Sequence, residues 1–160
     1  MMRWDVVARL LKNPAAGAEL GAHAGKFTER ILAAFPHLVL YAVDSWTPRA
    51  GYETYDFPGI REAFVHRIGK FGKRARVLHM DTVTAASQVQ DASLDFVFID
   101  ADHSYEGVAA DIDAWRSKVK AGGVLCGHDY GHSRFPGVKR AVDERLTVQT
   151  GDDCVWWARC

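Results

Sequence analysis

Cysteine is scarce, net charge is absent and no apolar run is long. The three cysteines of the 160 residues, Cys126, Cys154 and Cys160, are odd in number and none stands in a Cys-x-x-Cys pair. That indicates neither a disulfide framework nor a cysteine-based zinc site, and it fits reduced thiols in a cytoplasm. The 20 Lys+Arg balance 20 Asp+Glu, a formal net charge of zero. A balanced chain does not draw its affinity from neutralising phosphates or anionic lipid, so neither nucleic acid nor membrane is expected as a partner. The longest apolar stretch, 31–43, is interrupted by Pro36 and His37 and falls short of the roughly 20 residues a helix needs to cross a bilayer. Residues 1–5, Met-Met-Arg-Trp-Asp, lack the apolar core and small-residue cleavage site of an export signal. The expectation is a cytoplasmic protein that binds a small molecule.

What is present is a regular alternation. A chain of this size buries roughly 70% of its unfolded surface and needs no covalent or metal staple. No repeat, low-complexity tract or linker divides it, so one domain over 1–160 is expected. Residues 4–11 read as a helix with Val6, Val7, Leu10 and Leu11 on one side, ended by Asn13-Pro14. Then 16–20 reads as a strand, 27–35 as a helix and 37–43 as a strand. Ile60, Phe64, Ile68 and Phe71 recur at helical spacing and predict a helix over 59–71. A strand over 75–80 and a short helix over 84–89 lead to 94–99, Leu-Asp-Phe-Val-Phe-Ile, the continuous apolar run of a buried parallel strand. Val108, Ile112, Trp115 and Val119 line one face of a helix over 105–120, which Gly122-Gly123 would stop. A strand over 124–127, a helix over 136–145 opened by Pro136, and a hairpin of 146–149 with 154–158 complete the chain. The pattern predicts an α/β fold: a doubly wound, mostly parallel seven-stranded sheet with helices on both faces, ending in an antiparallel hairpin strand. Right-handed crossovers bring the loops after the strands to one edge, where the site should lie.

Three features fall on that edge. Glu19-Leu20-Gly21-Ala22-His23-Ala24-Gly25 stands where the first strand turns into a helix. Its glycines permit a tight turn and close approach of backbone N–H groups to a ligand, and Glu19 can bond an amine or hydroxyl. Asp44 ends the second strand 19 positions after Gly25, near the interval at which nucleotide-binding folds place a carboxylate on ribose hydroxyls. Phe98-Ile99-Asp100-Ala101-Asp102-His103-Ser104-Tyr105 follows the fourth strand and Gly127-His128-Asp129-Tyr130 the fifth. Neighbouring strand ends would converge Asp100 and Asp129 as hard oxygen ligands, with His103 and His128 nearby as bases or softer ligands. Asp102 and Ser104 read instead as caps of the next helix, and His132 as a packed surface residue.

Together these segments resemble the successive motifs of class I S-adenosylmethionine-dependent methyltransferases, in the methyltransferase domain 24 group related to cation-dependent O-methyltransferases. The resemblance runs from Ala16 to the Trp156-Trp157 strand. It implies that Gly21, Ala22, His23 and Gly25 cradle the methionine end of the cofactor, with Glu19 beside them, and that Asp44 holds the ribose. Met80, Asp81 and Thr82 would flank the adenine. Asp100 also stands at the cofactor, and it and Asp129 occupy the places of the relatives' two metal ligands, so a divalent cation such as magnesium is the candidate second cofactor. The chain departs from the relatives at Tyr130, where they often carry Asn, and at His103, where they carry a Lys base.

The activity so implied is methyl transfer to a hydroxyl or phenol of a small-molecule acceptor, with His103 and Asp100 as catalytic residues. A metal-dependent hydrolase built on Asp100, His103, His128, Asp129 and His132 would leave Asp44 and the glycine loop idle. A nicotinamide dehydrogenase would expect glycine at His23. A catalytically inactive nucleotide-binding domain acting as an interaction module is the non-enzymatic alternative. The irregular segment 45–58, with Trp46, Tyr52, Tyr55 and Phe57, is a candidate lid or a contact between two copies in a homodimer.

Overall fold

The computed structural model describes residues 1–48, 51 and 53–160. β1 (Ala16–Leu20), β2 (Val39–Asp44), β3 (Ala75–His79), β4 (Leu94–Ile99), β5 (Val119–Gly127), β6 (Gln149–Thr150) and β7 (Trp156–Arg159) form one sheet in the order β3-β2-β1-β4-β5-β7-β6. The first five strands pair in parallel, and β7 runs antiparallel to both β5 and β6. This is the doubly wound, mostly parallel seven-stranded sheet with a closing hairpin that the sequence predicts.

The two-residue period of a strand divides the core between two faces. Val97, Ile99 and Leu125 face one side, where α4 (Thr82–Ala86), α5 (Tyr105–Trp115) and α6 (Pro136–Asp143) bring Ala85, Ile112, Trp115 and Val138. Phe96, Phe98 and Cys126 face the other, against Val6 and Val7 of α1 (Arg3–Leu10) and Phe27, Ile31 and Leu32 of α2 (Lys26–Ala34). Phe27 stacks on Phe98 with ring centroids 4.1 Å apart. Each fully buried side chain of this size contributes about 1.5–3 kcal/mol. A third cluster sets Phe64 and Ile68 of α3 (Phe57–Ile68) under Ala22 and Trp46, and so anchors the β1–α2 turn.

The structure departs from the periodic reading in instructive places. The helix predicted over 105–120 ends at Trp115, because Val119 already pairs with Leu94 as the first residue of β5. Gly122 and Gly123 therefore lie inside a strand. A Cβ on Gly123 would sit 2.9 Å from the Asp95 carbonyl oxygen, so glycine there serves a close approach beside the β4–β5 register shift rather than a helix stop. α3 opens two residues before the predicted start, with Asp56 accepting from the Gly59 N–H at 3.1 Å and Pro58 in the first turn. α4 begins at Thr82 because Asp81 caps it, accepting from the Thr84 N–H at 2.9 Å. Of the hairpin strands predicted over 146–149 and 154–158, only Gln149 and residues 156–158 are strand, and β6 and β7 each run one residue further, to Thr150 and Arg159. No helix among the described residues is long and apolar enough to cross a membrane.

Candidate active site

The strand order turns back on itself at β1, with β2 on one side and β4 on the other, and the chain leaves the carboxyl ends of β1 and β4 in different directions. A crevice at such a switch point is where open α/β sheets bind ligands. Gly21 lies at its floor with φ 89°, and a Cβ there would meet the Asp100 carbonyl oxygen at 2.2 Å. No other residue fits. Gly25 caps α2 in the left-handed region, φ 76°. The Gly21 and Ala22 N–H groups donate to the Val43 carbonyl, and that of His23 donates to Asp44 Oδ2 at 2.8 Å. The loop amides thus shape the turn, and what the loop offers a ligand is close approach rather than a row of N–H donors. Asp44 Oδ1 also accepts from the Trp46 N–H at 2.8 Å, so the carboxylate is fixed by two backbone donors and keeps lone pairs for a further partner.

Glu19, expected at the strand end, is buried at 3% exposure and accepts the Thr28 hydroxyl hydrogen bond. Burial raises its carboxyl well above the ordinary range. Met80 packs half-buried on the core, Asp81 caps α4, and the Thr82 hydroxyl donates to Asp111 Oδ1 at 2.5 Å. In the aromatic segment Trp46 and Phe57 are core residues, each 6% exposed, and the Trp46 indole donates to the His23 carbonyl. Tyr55 is 46% exposed with its ring 6.1 Å from that of His23. Tyr52 lies outside the described residues.

At the ends of β4 and β5 the predicted residues do converge. His103 Nε2 is 2.9 Å from Asp129 Oδ2 and 3.5 Å from Asp100 Oδ1, and its ring stacks on Phe135 at 4.3 Å. His128 Nδ1 is 3.1 Å from Asp129 Oδ2, close enough for an ion pair but not aligned as a hydrogen bond, so both ring nitrogens are buried without a hydrogen-bonding partner. Burial opposes charge on His103, yet Asp100 and Asp129 outweigh it and push the imidazole up to about 9. His128 is raised for the same reasons. Burial works against ionisation of Asp129 too, but the two imidazoles hold its carboxyl well below the usual range. Asp129 takes this position with φ 61°, a left-handed conformation that Asp tolerates better than most residues. Ser104 caps α5 by accepting from the Gly107 N–H, and Asp102 accepts from the Ser104 N–H, as expected of structural residues.

A family model for a methyltransferase domain, Methyltransf_24, matches residues 18–130, from β1 through Tyr130. The chain belongs to this methyltransferase family. The uncharacterized protein y4gI of Sinorhizobium fredii is 29% identical over 125 residues, an alignment covering 73% of this chain. The chain spans 13% of that relative's length. Among solved structures, the O-methyltransferase NovP aligns with 98% of this chain and 78% of its own at 18% identity and a TM-score of 0.74. CalS11, a TDP-rhamnose 3'-O-methyltransferase of calicheamicin biosynthesis, aligns with 98% and 76% at 19% identity and a TM-score of 0.67. These two likenesses are likenesses of fold.

In this methyltransferase domain, Asp100, His103 and Asp129 each bring one ligating atom to within 4.8 Å of the others. Two carboxylates and an imidazole fit a divalent first-row ion such as manganese, whereas magnesium prefers an all-oxygen set. Tyr130 turns its hydroxyl to Asp143 Oδ1 at 2.7 Å, a bond on the α6 side. The sequence reading missed Arg3 and Asp153. Arg3 Nη1 is 2.6 Å from Asp100 Oδ2, and the Arg3 N–H donates to Asp153 Oδ2 at 2.8 Å. No local signal marks them, because they meet across 97 and 150 residues of chain.

Proposed function

We propose that the chain is an S-adenosylmethionine-dependent methyltransferase acting on a hydroxyl or phenol of a small molecule. The observation that carries this reading is the glycine turn at the β1–β4 crevice: Gly21 against the Asp100 backbone, with Asp44 fixed one strand away. Gly21, Ala22, His23 and Gly25 would take the methionine end of the cofactor. Asp44 would accept from the ribose hydroxyls, and Met80, Asp81 and Thr82 would flank the adenine. The names of NovP and CalS11, both O-methyltransferases, support an oxygen acceptor, and CalS11's is a sugar hydroxyl.

Methyl transfer from a sulfonium is an in-line displacement in which the cofactor supplies the activated carbon, so the protein aligns the acceptor and takes its proton. When bound, the sulfonium would supply the methyl carbon to the acceptor oxygen and depart as the neutral thioether, so what is left to the protein is the acceptor's proton and its alignment. The hydroxyl proton passes to His103 Nε2, which in this role stays off the cation and leaves Asp100 and Asp129 as the protein groups that would hold it. In the resting cluster Asp100 and Asp129 hold a proton on that ring, so the base form is released as these carboxylates take other partners. Phe135 keeps the ring plane fixed while it does so. A divalent cation on Asp100 and Asp129 would make the acceptor hydroxyl more acidic. His132 supports the hydrolase alternative poorly: its Nδ1 accepts from the Arg134 N–H at 3.2 Å.

The test is turnover. With S-adenosylmethionine and a panel of phenols, catechols and sugars, S-adenosylhomocysteine should accumulate with at least one acceptor, and His103→Ala should slow it by roughly 100- to 10,000-fold. Tight binding of S-adenosylhomocysteine with no turnover on any hydroxyl would instead make the domain an interaction module.

A further inference from the structure

Charge at the crevice is arranged around three carboxylates, and the sequence reading accounts for only two. Asp153, in the turn between β6 and β7, is the third; its Oδ1 lies 3.6 Å from His128 Nε2. Arg3, the first residue of α1, joins it to the others. The Arg3 Nε is 3.5 Å from Asp153 Oδ2, its backbone N–H donates to the same oxygen, and its Nη1 reaches Asp100 Oδ2 at 2.6 Å. Arg3, His103 and His128 thus alternate with Asp100, Asp129 and Asp153. His128 is 7% exposed and lies among the three carboxylates, yet its ring nitrogens have no aligned hydrogen-bonding partner. The ring is held there by charge, within 3.1–3.8 Å of Asp129, Asp153 and Asp100, and its ring nitrogens remain open to a better-aligned partner.

We propose that Arg3 is the built-in counter-cation of this site, and that its guanidinium competes with a divalent cation for Asp100. A guanidinium keeps its charge at any physiological pH, and here it lies on the carboxylate that also contributes to the candidate ligand set of Asp100, His103 and Asp129. A divalent ion on Asp100 and the Arg3 guanidinium repel each other at that range, and with the two side chains 28% and 17% exposed solvent screens them only in part. Occupation by the cation therefore loosens Arg3 from Asp100, and with it the start of α1, where the half-buried Trp4 packs on the core less completely than the buried Val6 and Val7 that follow it. Arg3 in this way tunes how tightly the carboxylates hold a cation and couples that binding to the position of α1.

The inference concerns the same strand-end cluster as the proposed function, but its test uses neither cofactor nor acceptor, so each can fail alone. Manganese chloride is titrated calorimetrically into the wild type, Arg3→Gln and Asp129→Asn. Wild type should bind weakly, Arg3→Gln at least 10-fold more tightly, and Asp129→Asn not measurably. Amide hydrogen exchange of the wild type should speed up over residues 3–6 when manganese is added and not when sodium chloride of equal ionic strength is added. This second measurement stands even if Arg3→Gln does not fold. Equal manganese affinity in wild type and Arg3→Gln, no binding by either, or unchanged exchange in α1 would overturn the proposal.

Discussion

Asp111→Asn should stabilise the protein above neutral pH and do little in mild acid. Asp111 lies on α5, 1% exposed, with Oδ1 accepting from the Thr82 hydroxyl and Oδ2 without a partner. Burial, opposed only by the Thr82 hydrogen bond and reinforced by Asp81 and Asp102, pushes its carboxyl up from 3.8 to about 7. The folded state thus prefers the neutral acid. Its contribution is intact below pH 3.8, declines as pH rises through the interval up to about 7, and stays lost above it. At about 1.4 kcal/mol per pH unit that interval is worth about 4 kcal/mol, an upper figure because the buried site relaxes. An amide keeps the acceptor for Thr82 and cannot ionise. Urea unfolding of both proteins at pH 5 and pH 8 gives the difference: the mutant-minus-wild-type stability should rise by about 2–4 kcal/mol between the two. A difference that does not change with pH would refute the reasoning and show Asp111 ionised at no stability cost.

Gly21→Ala should cost about 1–3 kcal/mol for its backbone at φ 89° before the 2.2 Å contact with the Asp100 carbonyl is relieved, and thermal unfolding should show a drop of several degrees. Asp44→Ala should weaken S-adenosylhomocysteine binding by roughly 10- to 100-fold in calorimetry. Because it also strands the His23 and Trp46 N–H groups, it should lower the melting temperature as well. His103→Ala should leave cofactor affinity within about threefold of wild type while abolishing most turnover, as expected of a general base that does not hold the cofactor.

Legibility followed locality. The 94–99 strand is found where its apolar run placed it, since a central parallel strand buried on both faces writes its own boundaries. The places of Gly21 in a tight turn and Asp44 at a strand end were readable because turn and strand signals act within a few residues. The end of α5 was not readable: Val119 continues the helical stripe of Val108, Ile112 and Trp115, and only pairing with Leu94 converts it to strand. In the site, Asp100, His103 and Asp129 were legible as strand-end residues on adjacent strands. Arg3, Asp153 and Asp111 were not, because each matters through a partner far away in sequence, and a charged residue on a helix or turn looks the same whether it faces solvent or a carboxylate. Trp46 shows the converse error. It sits in an irregular segment yet packs on Phe64 at 4.9 Å as a core residue.

The central claim is that the crevice between β1 and β4 binds S-adenosylmethionine. Calorimetric titration of the wild type and Asp44→Ala with S-adenosylmethionine, S-adenosylhomocysteine and NAD tests it directly. The account predicts one-to-one binding of both sulfur compounds, weakened in Asp44→Ala, and no heat from NAD. Binding of NAD, or no binding of either sulfur compound to folded wild-type protein, would contradict it.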